Sequence, residues 1–339
     1  MTSGSSTTEN DRSLRQRHDV LLLDLDGTVY QGAEAIPGAR EALETGESRL
    51  FYVTNNASRS PASVAAHLRE LGFAATEDEV VTSSQSGARL VAEHVAAGSA
   101  VLVVGTEALA DEVRQVGLVP VRRFEDGPAA VVHGHSTETN WSILAEATLA
   151  IRAGAVWVAT NVDTTLPTER GLCPGNGALV AAVRAATDRE PLVAGKPARP
   201  LMDDALRRSG AVNALVVGDR IDTDIAGANA VGLESLLVLS GVSRPTDLLR
   251  APLGHRPTYL AMELAALDRP AEDLAIAPHP GVTVRRDGGT LVVACDPTGS
   301  ADRAAVLRAV LFAAWEGPEV TDLRGEDPLA VEVVADLLG

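Results

Sequence analysis

Lysine is almost missing from this chain: of 29 basic residues in 339, Lys196 alone is lysine and the other 28 are arginine. Cysteine is also scarce. Cys173 and Cys295 have no metal-ligand spacing and are too few for a disulfide framework, which fits a reducing cytoplasm. Aromatic residues make up 3% of the chain, so stacking platforms for a nucleobase or another flat ring are few. A formal net charge of −17 argues against nucleic acid and against an anionic membrane surface. Any phosphate-bearing ligand must therefore be held by local charge against an adverse overall field. No apolar run is long enough to insert in a bilayer. The Ser/Thr-rich start lacks an apolar core, so residues 1–18 read as a disordered tail and not as a signal peptide.

What is present points to an α/β protein of two or three domains. Short apolar runs at 20–24, 49–54, 80–82, 100–104, 129–132 and 155–160 alternate with helical patterns such as 63–71 and 141–152. The alternation resumes at 214–218, 222–231 and 235–239. Strands and helices alternating at this length predict parallel sheets covered by helices, with ligands at the carboxyl ends of the strands. The stretch 269–280 carries few periodic signals and reads as a linker. Beyond it, 281–286 and 290–295 suggest a hairpin around Asp287-Gly288-Gly289, followed by a helix near 301–315, giving a small α+β domain at 281–339.

Four clusters carry chemistry. Asp24-Leu25-Asp26-Gly27-Thr28 follows the apolar Val20-Leu21-Leu22-Leu23. Two carboxylates at the tip of a buried strand call for a cation or a substrate, although Asp-Gly also marks ordinary turns. Thr54-Asn55-Asn56 ends another strand and precedes Ser58, a candidate helix N-cap. Such a corner suits an anionic oxygen, and helix capping alone explains it equally well. Lys196, in Gly195-Lys196-Pro197, survives where arginine has replaced lysine elsewhere, which marks a position needing a compact ammonium. Gly218-Asp219-Arg220-Ile221-Asp222-Thr223-Asp224 follows the strand Leu215-Val216-Val217. Its acids suit Mg²⁺, with helix capping the plainer explanation for Asp222.

Taken in order, these clusters resemble the haloacid dehalogenase (HAD) superfamily, from about residue 19 to residue 267. The long insert, with Ala159-Thr160-Asn161-Val162-Asp163 and Pro174-Gly175-Asn176-Gly177, resembles the larger α+β cap of subfamily IIA phosphatases. That subfamily acts on phosphoglycolate, glycerol phosphate, pyridoxal phosphate and nitrophenyl phosphate, and some actinobacterial glycerol-phosphate phosphatases in it carry an appended domain remotely like an acetyltransferase. The resemblance implies a Rossmann-like core at 19–84 and 180–268 and a cap at 85–179. It implies a Mg²⁺-dependent phosphatase in which Asp24 is the nucleophile and Asp26 the general acid and base. Asp24, Asp26 and Asp219 would hold the metal, with Asp224 behind them. Thr54, Asn55 and Lys196 would bind the phosphoryl oxygens. In the cap, Asn161 and Asp163 are candidates for reading substrate hydroxyls and Arg170 for an anion, each with a turn or surface role as the alternative. His133-Gly134-His135 reads as a loop after a strand in preference to a metal pair. The expected partner is a small phosphorylated metabolite, glycerol 3-phosphate first, then 2-phosphoglycolate or pyridoxal phosphate, with a homodimer possible. The rival reading is a regulatory or binding protein working through its C-terminal domain.

Overall fold

The structure is a computed structural model that describes residues 12–168 and 170–339. The chain forms two compact units. One comprises residues 12–31, 35–50 and 211–339; the other comprises 32–34 and 51–210.

The first unit is built on four parallel strands in the order Tyr259–Ala261, Glu234–Val238, Ala214–Gly218 and Val20–Leu23. Val20–Leu23 is buried throughout, as a strand covered on both faces requires. Its register, Leu23 opposite Val217, brings the ends of the two central strands level, so that Asp24 and Asp219 emerge side by side. Residues 12–18, expected within a disordered tail, instead hold the short 3₁₀ turn Arg15–Arg17. Arg15 is only 2% exposed because its guanidinium bridges Asp268, Thr45 O and Ala42 O.

The C-terminal segment belongs to this unit. Val282–Asp287 and Thr290–Cys295 form the expected hairpin, and Asp322–Gly325 adds a parallel strand after the helix Arg303–Trp315. The segment shares its core with the first sheet: Leu237, Leu248 and Leu260 lie in one cluster with Leu291, Val310, Leu311 and Leu337. The expected linker is structured as well, since Ala271–Leu274 is helical and buries Ala271 and Leu274.

The second unit contains residues 51–54 of the strand Arg49–Thr54, paired in parallel with Val80–Thr82, and a five-stranded parallel sheet. Its order is Leu192–Val193, Val156–Ala159, Ala130–His133, Ala100–Val104 and Val119–Val121. Alternate residues face opposite sides. Val101, Val103, Val132 and Val158 pack under Ser83–Ala92 and Glu107–Gln115, whereas Leu102, Val104, Val131 and Trp157 pack under Trp141–Arg152 and Asn176–Thr187. The cap boundary expected at 179 falls inside the helix Asn176–Thr187. That helix is the crossover to Leu192–Val193, which pairs with Val158–Ala159, so the inserted layer continues past it. A hairpin, Thr165–Thr168 with Gly171–Pro174, completes the unit. Among the described residues no helix is long and apolar enough to cross a membrane.

Candidate active site

In the first unit, Asp24, Asp219 and Asp224 each offer a carboxylate oxygen, and the three oxygens lie within 4.8 Å of one another. Asp219 is fully buried and Asp224 is 1% exposed. Ionised groups placed so close and so deep need a cation among them. The surroundings are cut to fit the acids. Val242 N donates to Asp219 Oδ2 at 2.6 Å, and the Thr28 hydroxyl donates to Oδ1 at 3.3 Å. A Cβ on Gly241 would stand 2.0 Å from Asp219 Oδ2, and one on Gly27 would stand 2.6 Å away. Gly27 also has φ +94°, a turn that other residues rarely adopt. Gly218 clears Asp224 in the same way, with Asp224 Cβ 2.4 Å from where its own Cβ would be.

The segment expected as a helix over 222–231 begins as a π-helical turn, Ile221–Ile225, before the α-helix Ala226–Val231. The wider turn buries Asp224, whose Oδ2 accepts from Arg220 N at 3.1 Å. Asp222 does not cap the helix. It pairs with Arg220 at 2.7 Å; burial opposes its charged form, but that guanidinium holds its carboxyl below the usual range. Asp26 is exposed, so its carboxyl can exchange protons with solvent. The loop 240–243 carried no expectation, yet it supplies two backbone N–H groups to Asp219 and the Ser240 hydroxyl to Gly27 O. Its signal in the sequence is a glycine between serines just past a strand.

In the second unit a polar cluster gathers at strand ends. The Thr54 hydroxyl accepts from Asn56 N at 3.0 Å, and Asn56 Oδ1 accepts from Ser58 N at 2.8 Å. The helix cap is Ser60 and not Ser58: its hydroxyl accepts from Ser63 N, with Pro61 at the first helical position. Lys196 is 2% exposed, and its Nζ donates to Val53 O at 2.9 Å. Asn55 joins the cluster to the residues expected to read the substrate. Asn161 Nδ2 donates to Asn55 O at 2.8 Å, and Asn55 Nδ2 donates to the Asp163 carboxylate at 3.2 Å. Arg170 lies elsewhere, exposed at the hairpin tip, where its N–H meets Thr168 Oγ1. His133 ends a strand with its ring fully buried. Burial pushes its pKa down to about 4, so the ring is a neutral core group stacked on Trp157.

A family model described as "Haloacid dehalogenase-like hydrolase" matches residues 21–119, and a HAD-hydrolase-like model matches 193–267. The chain belongs to the haloacid dehalogenase-like hydrolases. This hydrolase is 54% identical over 326 residues to the D-glycerol 3-phosphate phosphatase of Mycobacterium tuberculosis, covering 95% of this chain and 92% of that protein. The crystal structure of glycerol phosphate phosphatase from M. tuberculosis in complex with magnesium superposes with a TM-score of 0.92 at 53% identity, covering 96% of this chain and 98% of that one. The p-nitrophenyl phosphatase from Archaeoglobus fulgidus gives a TM-score of 0.68 at 31% identity, covering 98% of its own length but 74% of this hydrolase. About a quarter of this hydrolase is thus shared with the first pair and lacking from the third.

Proposed function

We propose that this hydrolase is a Mg²⁺-dependent phosphatase that cleaves glycerol 3-phosphate to glycerol and phosphate. The observation that carries the substrate assignment is the likeness to the M. tuberculosis enzyme along 95% of the chain. Asp24 attacks phosphorus and forms an aspartyl-phosphate, dividing one hard displacement into two easier steps. Asp26 protonates the departing alkoxide and then takes a proton from the attacking water, a task suited to an exposed carboxyl. Mg²⁺, held by the carboxylates of Asp24 and Asp219 and the main-chain carbonyl of Asp26, supplies charge neutralisation for the phosphoryl oxygens, and Asp224 supports it from behind. Thr54, the Asn55 main chain and Lys196 hold those oxygens as charge redistributes. An alkoxide leaving group needs a proton and a halide does not, so Asp26 favours ester hydrolysis over dehalogenation.

Both cysteines are free, in keeping with a cytoplasmic location. A homodimer is the assembly we favour; Trp141 and Leu172, 82% and 74% exposed, are apolar groups that such an interface would cover. The test is phosphate release with Mg²⁺ from glycerol 3-phosphate, 2-phosphoglycolate, pyridoxal phosphate and a mononucleotide. Glycerol 3-phosphate should give the highest kcat/KM, and Asp24→Asn should lower it by a factor of about 10⁴ or more. A preference for pyridoxal phosphate overturns the substrate. Full turnover by Asp24→Asn overturns the nucleophile.

A further inference from the structure

Asn55 has spent its side chain. Its Oδ1 accepts from Lys196 N at 2.8 Å, and its Nδ2 donates to Lys196 O at 3.0 Å and to the Asp163 carboxylate at 3.2–3.3 Å. An amide nitrogen has two hydrogens, so no side-chain N–H is left for a phosphoryl oxygen. Turned over, the amide would set N–H against N–H and oxygen against oxygen, so the network admits one orientation. The main chain of Asn55 is pinned too, its carbonyl accepting from Ser83 Oγ at 2.6 Å and Asn161 Nδ2 at 2.8 Å. Asn161 O is in turn held by Asn176 Nδ2 at 2.7 Å. The bracket closes on Lys196 because Gly195 carries no side chain: a Cβ there would stand 2.5 Å from both Asn55 Oδ1 and Thr160 O.

A side chain that grips both the N–H and the C=O of one residue fixes that residue's peptide as a paired strand would. With the main chain of Lys196 clamped, and its Nζ on Val53 O, the ammonium has one place to be, beside the strand end that carries Thr54. We propose that Asn55 is a positioning residue for Lys196, and that Asp163 holds the Asn55 amide in the orientation that does so. Asp163 and Asn161 then set the rate for every phosphate ester and do not choose among esters. This rests on the assignment of Lys196 to the phosphoryl group.

The test compares glycerol 3-phosphate with p-nitrophenyl phosphate, two esters that share only the phosphoryl group. Asn55→Ala should lower kcat/KM on both by the same factor, on the order of 10²-fold for a displaced catalytic group. Asp163→Asn, which keeps an acceptor for the amide, should give a smaller and again equal loss. In a Lys196→Ala background, Asn55→Ala should cost little more, because two groups acting through one contact do not add. A loss confined to one ester makes Asp163 a substrate reader and overturns the proposal, as does full additivity with Lys196→Ala.

A second readout needs no turnover. Lys196 is the single lysine, so acetylation of its ε-amine by acetic anhydride is read from one peptide by mass spectrometry. Its rate should rise several-fold in Asn55→Ala, and in Asp163→Asn should Asn55→Ala fail to fold; an unchanged rate overturns the bracket. Full turnover by Lys196→Ala would instead refute the phosphoryl assignment, while the acetylation rates still judge the bracket.

Discussion

The space around Asp219 leaves no room for a methyl group, and that makes Gly241 the most sensitive position outside the acids themselves. Its Cβ would stand 2.0 Å from Asp219 Oδ2, so Gly241→Ala must push the carboxylate off its bond with Val242 N. The backbone there is not left-handed, hence the substitution acts through the clash and not through strain. The concentration of free Mg²⁺ giving half-maximal activity should rise about 10- to 100-fold, the usual effect of disturbing a ligand's support. Titrating activity with Mg²⁺ checks this, and an unchanged dependence in folded protein would refute the metal-holding role of Asp219. At this scale the sequence was legible where the chemistry is local. Asp24 and Asp26 sit in one pentapeptide, and Asp219 and Asp224 in one heptapeptide. Val242, which orients Asp219, lies 23 positions away. Asn161 and Asp163 were legible as polar residues with work to do, but their partner Asn55 is 106 and 108 positions distant, so a task in reading substrate could not be told from a task in holding the site.

Among the elements, the helix Arg303–Trp315 changes how the C-terminal segment is understood. It buries Val306, Leu307, Val310 and Leu311, and nearly all its positions are apolar; a helix without a polar face needs cover on several sides. That cover comes from Leu248 and Leu260 of the first sheet's surroundings. Arg308 reinforces it, donating to Leu260 O at 3.0 Å from a site where burial pushes its pKa down. Trp315 Nε1 donates to Leu248 O at 3.1 Å while Arg256 stacks 5.0 Å over its ring. A detachable appendage would not share its core in this way. Leu311→Ala should therefore destabilise the whole first unit by about 2–5 kcal/mol, and a chain ending at residue 280 should aggregate from its exposed leucines. Thermal unfolding and solubility decide: a soluble truncation melting with the full chain would show the segment to be independent. The hairpin and helix were legible from the turn residues and periodicity, as were the parallel sheets from the alternation of strands and helices, but the pairing of Val20–Leu23 with Ala214–Gly218 was not. The shared core was not, because a linker and a packed turn with two buried apolar residues differ only in what lies against them. The apolar girth of the helix was the overlooked signal.

For the molecule as a whole, the charge balance poses a problem that its site must overcome. A formal charge of −17 repels a phosphate monoester dianion over the distance that ionic screening allows. The Debye length is about 30 Å at 0.01 M salt and about 8 Å at 0.15 M, so the repulsion acts across the protein's own dimensions in dilute buffer and is largely confined to the site mouth at physiological strength. Under the proposed function, the attraction for substrate is short in range, supplied by Lys196, by main-chain N–H groups and by the Mg²⁺ that the carboxylates would hold. The 28 arginines do not alter this, because many of those on the described surface are paired with carboxylates, as in Arg89–Glu93, Arg114–Asp111 and Arg303–Glu332. Salt should therefore weaken the long-range term more than the short-range one. Raising KCl from about 0.01 to 0.15 M at fixed free Mg²⁺ should lower KM for glycerol 3-phosphate by roughly two- to ten-fold and leave kcat nearly unchanged. A KM that rises with salt would mean that the local cations, and not the acidic surface, govern the approach of the substrate.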